Sequence, residues 1–254
     1  MNYALILVSV AVFLFMLRLD ATVPASRQAA RSEFARQTAD ECYGFEATPT
    51  DVDRFVCKWS FQPREFFDTV QGKSHSPDPQ VAVVLFSIVT ALFIHAGWSH
   101  IFGNMLFLWV FGDNIEDRLG HFRYLVFYLV AGIVATLAQA AVDVEGVVPV
   151  VGASGAIAGV LGAYLVSYPR AKVSVVIPFF ILIFIPIPVP AALIIGMWFV
   201  EQFLAGVATL SASTTAGAGV AWFAHIGGFL FGALTILLFY GGPRKRVRGA
   251  PRWD

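Results

Sequence analysis

Charge is what this sequence has least of. Only 13% of its 254 residues are Asp, Glu, Lys or Arg, against 57% hydrophobic residues. Soluble domains carry about a quarter charged residues, and a water-soluble fold of this composition would lack the polar surface to cover itself. The formal net charge is zero, which excludes the basic excess that nucleic-acid partners select. Cysteine is almost absent too. Cys42 and Cys57 are the two thiols, no Cys-x-x-Cys pair occurs, and two thiols alone cannot build a zinc site. Both lie in one long polar stretch, where a disulfide and two independent thiols are equally compatible with the sequence. Neither a metal nor another cofactor is called for.

What the chain does have is long apolar runs, and crossing about 30 Å of hydrocarbon takes roughly 20 helical residues. Six runs qualify or come close, at about 2–17, 81–111, 124–142, 154–168, 191–210 and 220–240. The first is short and is read as a retained helix rather than a signal peptide cleaved near Ala25, because the usual basic start is missing. Residues 18–80 form a long polar loop whose patches Phe55-Val56 and Trp59-Ser60-Phe61 suit a segment lying on the membrane surface. The polar turn GDNIEDRLGHFR (112–123) separates runs two and three. Pro178, Pro186, Pro188 and Pro190 argue against a straight helix over 173–190, which reads as an interfacial connector.

Orientation follows from the basic residues. Arg118 and Arg123, Arg170 and Lys172, and Arg244, Lys245, Arg246 and Arg248 occupy alternate short connections, while the loops around Asp143 and Ser213 carry no Lys or Arg. Basic short loops stay cytoplasmic. The expectation is an all-α membrane protein with six crossings and both termini cytoplasmic. It comprises one membrane domain over 1–243, with the long loop outside, and a basic tail over 244–254.

Polar side chains inside such spans are expensive and usually functional. His95, His100, Asn104, Ser154, Glu201, Gln202 and His225 are the candidates. The topology puts most of them at one depth, toward the outer ends of runs two, four and six. His100 and Asn104, spaced i, i+4, share a helix face. Ser154 lies in Gly152-Ala153-Ser154-Gly155, a turn of small residues opening a helix, where free N–H groups can stabilise an oxyanion. A serine there is more often only a cap. A hydroxyl becomes nucleophilic when a base takes its proton, and His225 is the candidate base. Gly155 and Gly159 on one run, and Gly228 and Gly232 on another, form small-residue faces that let two helices touch. His95 and His100 do not share a face, which argues against a common metal. Glu201 and Gln202 read as bracing residues, and His75 and His121 as loop residues without chemistry.

These motifs together resemble the rhomboid family of intramembrane serine proteases. The residues that carry the likeness are HAGWSHIFGN (95–104), GDNIEDRLG (112–120), GASG (152–155) and AHIGG (224–228), and the likeness covers about 81–240. It implies a six-helix rhomboid-like bundle around a wet cavity opening outward. It also implies a Ser154–His225 dyad without an acidic third member, and an oxyanion hole of His100, Asn104 and the Ser154 N–H. His95, Gly152, Gly155 and Gly228 would be structural, and Glu116 and Arg118 would organise the turn after span two. The implied substrates are single-pass transmembrane proteins, cut near the outer face of a plasma membrane, with the lipid bilayer as the only other partner. Two positions depart from the family pattern. Phe86-Ser87 replaces a frequent Trp-Arg pair, and Ala158 stands where some members have a Tyr that stacks on the histidine, so that His225 needs other packing. The alternatives are a catalytically inactive rhomboid-like protein that binds membrane clients, and a transporter, against which the absence of an inverted repeat counts.

Overall fold

A computed structural model of the chain describes residues 1–20, 51–73, 81–179, 183–211 and 220–239. Among these, helix α1 (Asn2–Asp20) is followed by the short α2 (Asp51–Trp59) and α3 (Pro63–Val70), and then by α4 (Val81–Thr90) and α5 (Trp98–Leu119). Next come α6 (His121–Val142) and α7 (Ser154–Ser167), the hairpin strands β1 (Lys172–Phe179) and β2 (Ile183–Pro190), and finally α8 (Ala191–Ser211) and α9 (Trp222–Thr235). The fold is mostly helical. Four helices, at Asn2–Asp20, His121–Val142, Ala191–Thr209 and Trp222–Phe239, are long and apolar enough to cross a membrane, and α4 with α5 makes a fifth if that bent pair is one span. Large apolar side chains such as Leu7, Phe102, Trp109, Met197 and Leu238 point outward from these helices. In water they would form an aggregation surface, whereas hydrocarbon solvates them. The chain is a multi-pass membrane protein.

The 14-residue α7 is the centre of the bundle. At 1.5 Å per residue it is about 21 Å long, too short to cross lipid by itself. Every residue from Gly155 to Tyr164 is buried, so protein rather than lipid surrounds it, chiefly α9, α6 and α5. The approach to α9 is as close as backbones allow. A Cβ on Gly228 would fall on the Gly155 carbonyl, one on Gly232 on the Gly159 carbonyl, and one on Gly162 on the Phe229 carbonyl. α1 lies against α5 with one stripe, Asn2, Leu5, Ser9, Phe13 and Met16, turned inward.

Two sequence expectations are corrected and two gain detail. Run two is not one straight span, since α4 passes through a 3₁₀ turn (Ala91–Phe93) and the chain restarts as α5 at 79° to it. The interruption is satisfied internally, because the Ala91 carbonyl that would continue the helix accepts the Gly152 N–H at 2.9 Å. The polar stretch 112–123 is not a turn. α5 runs on to Leu119 and α6 starts at His121, with Gly120 at φ 82° as the whole connection. Its charge is accommodated because Glu116 accepts from the Met1 amine at 2.5 Å and from the Asn2 N–H at 2.7 Å, and also bonds His121 Nδ1.

The long polar loop has structure of its own. It carries α2 and α3, and Ser60 and Phe61 are fully buried, with Phe61 pairing main chain to main chain with Val150. Thr90 Oγ1 donates to the Trp59 carbonyl at 2.7 Å and Gln62 Nε2 to the Val147 carbonyl at 3.2 Å, which anchors the loop without the missing Trp-Arg pair. Finally, the connector 173–190 is an antiparallel hairpin. Its four prolines fall in the pairs Lys172–Pro190, Ser174–Pro188, Val176–Pro186 and Pro178–Phe184, all of one alternate set. An antiparallel ladder needs N–H donors from only every second pair, so none of the prolines removes a bond. Cys57 is disulfide-bonded, and Cys42 lies outside the described residues. So do Ala25, His75, most of the loop around Ser213 and the tail 244–254.

Candidate active site

The site begins with a backbone constraint. Gly152 sits at φ 113°, a conformation that side chains disfavour, and a Cβ there would stand 2.6 Å from His100 Nε2 and 3.5 Å from Asn104 Nδ2. Only a glycine lets the chain turn this tightly against α5 before Ser154 opens α7. Ser154 therefore sits at a helix start, where the first N–H groups have no helical acceptor. Its Oγ lies 2.7 Å from His225 Nε2. His225 is buried on the first turn of α9, which the glycine contacts hold against α7. On its far side, His225 Nδ1 is 2.6 Å from Gln202 Oε1 of α8, and Gln202 Nε2 donates to the Glu201 carboxylate.

His100 and Asn104 project from α5 toward the same turn. Asn104 is buried, and its Nδ2 has no hydrogen-bond partner, which leaves an N–H donor free beside Ser154. His95 is buried one turn earlier, with its Nδ1 3.2 Å from the Phe93 carbonyl and its ring edge-on to His100 at 5.2 Å. It props the break between α4 and α5. Ser154, His225, His100, Asn104, Trp198 and Gln202 all line one cavity of ≈ 460 Å³. A larger cavity of ≈ 780 Å³ adjoins it, sharing His100, Val151, Val220 and Ala221. Among the described residues no three His, Cys, Asp or Glu gather as a metal would need.

The sequence-selected residues thus fall into two groups. Ser154, His225, His100, Asn104, Gly152, Gly155 and Gly228 converge, with His95 behind them. Glu116 and Arg118 do not, since 16 residues along α5 from His100 is about 24 Å. Sequence reasoning missed three residues at the site. Trp198 lies at 5.7 Å and Trp222 at 6.3 Å from the His225 ring, supplying the packing that Ala158 cannot. Gln139 of α6 accepts the Phe223 N–H at 3.1 Å and so fixes where α9 begins. Gln202, a polar candidate with a bracing role in the sequence, braces His225 itself. A glutamine inside an apolar run is the signal both Gln139 and Gln202 offered.

A multi-pass helical membrane protein that sets a serine hydroxyl against a buried histidine, beside a spare amide donor, is the class that this geometry defines. The Rhomboid domain family model matches residues 83–242, more than half of the chain, and the chain belongs to the rhomboid family. It is 32% identical over 187 residues to Rhomboid protein 1, mitochondrial, of Saccharomyces cerevisiae, covering 66% of this chain and 46% of that protein. Rhomboid protease GluP of Bacillus subtilis is 41% identical over 78 residues, 31% of this chain and 15% of that one. Rhomboid-like protein 11, chloroplastic, of Arabidopsis thaliana is 40% identical over 74 residues, 29% of this chain and 26% of that one. The matched region spans less than half the length of each of these relatives.

Proposed function

We propose that the protein is an intramembrane serine endopeptidase that cuts single-pass transmembrane proteins near the outer membrane face. The observation that carries this reading is the 2.7 Å approach of Ser154 Oγ to His225 Nε2 inside a bundle whose outer surface is apolar. His225 Nε2 takes the Ser154 proton as Oγ attacks the scissile carbonyl carbon. The tetrahedral oxyanion then accepts from Asn104 Nδ2, His100 and the Ser154 N–H. His225 passes the proton to the leaving amine, and a water deprotonated by the same ring hydrolyses the acyl-enzyme. Family membership and a relative named as a protease support the assignment.

The proposed arrangement in the membrane is six crossings, counting α4 with α5 as one and the protein-enclosed α7 as another. Both termini and the basic tail 244–254 are cytoplasmic, residues 1–243 form one domain, and the location is the plasma membrane. The distribution of Arg and Lys among the short connections supports that orientation. The test is chemical. Purified protein in detergent should take up a fluorophosphonate probe on the peptide containing Ser154 and cleave a single-pass substrate, and Ser154→Ala should do neither. Cleavage that survives Ser154→Ala ends the reading.

A further inference from the structure

The hydrogen bonds behind His225 have only one consistent polarity. Gln202 Nε2 faces Glu201 Oε2 and Gln202 Oε1 faces His225 Nδ1. A carboxylate can only accept, so it holds the amide with its NH₂ toward Glu201 and its carbonyl toward the ring. That carbonyl can also only accept, so Nδ1 carries the ring proton. A neutral imidazole protonated at Nδ1 has its lone pair at Nε2, the nitrogen 2.7 Å from Ser154 Oγ. The carboxylate therefore decides, through one amide, which ring nitrogen can act as base.

Burial explains why an amide stands between the two. Gln202 is 4% exposed, whereas Glu201 is exposed and borders the cavity. A carboxylate at the inner position would lose most of its hydration. An amide there loses far less, and it keeps both ends bonded. Trp198, one turn before Gln202 on α8, packs on the same ring and limits its rotation.

The geometry points to Gln202 and Glu201 as positioning residues, a carboxylate–amide pair that locks His225 in the Nδ1–H tautomer. The assignment rests on the Ser154–His225 chemistry proposed above and adds to the dyad an acid acting at one remove. Both act through the His225 ring rather than on the reacting atoms, so the pair should show in turnover more than in binding.

The tautomer is directly observable. In full-length protein labelled with ¹⁵N-histidine in detergent, with the His225 signals identified by their loss in His225→Ala, the neutral ring should show Nδ1 protonated and Nε2 bare. Gln202→Leu should abolish that preference. It should lower kcat about 30-fold with KM within about twofold, well short of the roughly 10⁴-fold that a directly bonded carboxylate carries in serine proteases. Gln202→Glu, which offers an acceptor directly, should restore Nδ1–H and most of kcat. Glu201→Gln should show a smaller loss, because the Gln202 amide is then free to turn over. A wild-type ring protonated at Nε2 overturns the proposal without recourse to any variant. Unchanged tautomer and kcat in Gln202→Leu overturn it equally, and an unchanged Glu201→Gln removes Glu201 from the pair. A wild-type protein that neither cuts nor labels, yet shows the Gln202-dependent tautomer, ends the protease reading and leaves this one standing.

Discussion

Gly155 and Gly228 meet backbone to backbone, so closely that a methyl group on Gly228 would fall on the Gly155 carbonyl oxygen. Gly155 directly follows Ser154, and Gly228 is three residues past His225, so this contact sets the distance between hydroxyl and ring. Gly228→Ala forces α7 and α9 apart. Overpacking of this kind costs about 1–3 kcal/mol, and widening the 2.7 Å contact by about 1 Å takes it out of hydrogen-bonding range. The variant should unfold at lower temperature in detergent and should lose probe labelling of Ser154 even where it remains folded. Labelling at the wild-type rate would show that the helices are not held by this contact.

Gly152 faces two restrictions at once. An alanine there adopts φ 113° at a cost of about 1–3 kcal/mol, and its methyl also meets His100 Nε2. Gly152→Ala should therefore be more damaging than Gly103→Ala, since nothing lies within 4 Å of a Cβ at Gly103. Thermal unfolding and substrate cleavage of the two variants, measured side by side, check the difference. Equal behaviour would mean that the turn before Ser154 can relax.

Asn104 Nδ2 is a buried donor with no partner, an arrangement that costs stability unless something else uses the donor. The reaction supplies that use if the oxyanion forms beside it. Asn104→Ala should lower kcat about 10²- to 10³-fold with little change in KM, and it should not destabilise the fold. Asn104→Asp should be worse, since it sets a negative charge against the oxyanion. Turnover of Asn104→Ala within a few-fold of wild type would remove Asn104 from the oxyanion hole.

How much of this was legible in the sequence varied with the length scale of the signal. Hydropathy marks α1, α6, α8 and α9 within a few residues, because a lipid-facing helix must be apolar over its whole length. Ser154 and His225 stand out because a polar group inside such a run is costly, and the glycines beside them mark the contact between their helices. The break at 94–97 was hidden. The apolar stretches on either side of it read as one run, and the bond that permits it comes from Gly152, far along the chain. Which of Glu201 and Gln202 turns inward is also not readable, because neighbouring helical residues point about 100° apart and the rotation of α8 is set by its packing. The hairpin was legible in principle. Pro186, Pro188 and Pro190 repeat with the period of a strand, but their weight as helix breakers concealed that pattern.

The polar loop between α1 and α4 offers a prediction that does not depend on catalysis. Glu65 lies on α3, outside the membrane-crossing helices, and burial holds its carboxyl above the ordinary carboxylate range. A carboxyl whose pKa is higher folded than unfolded binds protons more readily in the native state. Stability is then greatest in acid and declines as pH rises from the ordinary Glu range through the raised folded value. Glu65→Gln removes the ionisation without changing the shape. It should raise Tm by about 1–3 °C near pH 7.5, on the side of the titration where ionising Glu65 opposes its burial. The gain should shrink to nothing below about pH 3, where the carboxyl is protonated in both states. Paired thermal scans at the two pH values measure this, and a stabilisation that is the same at both would assign the effect to packing rather than to charge.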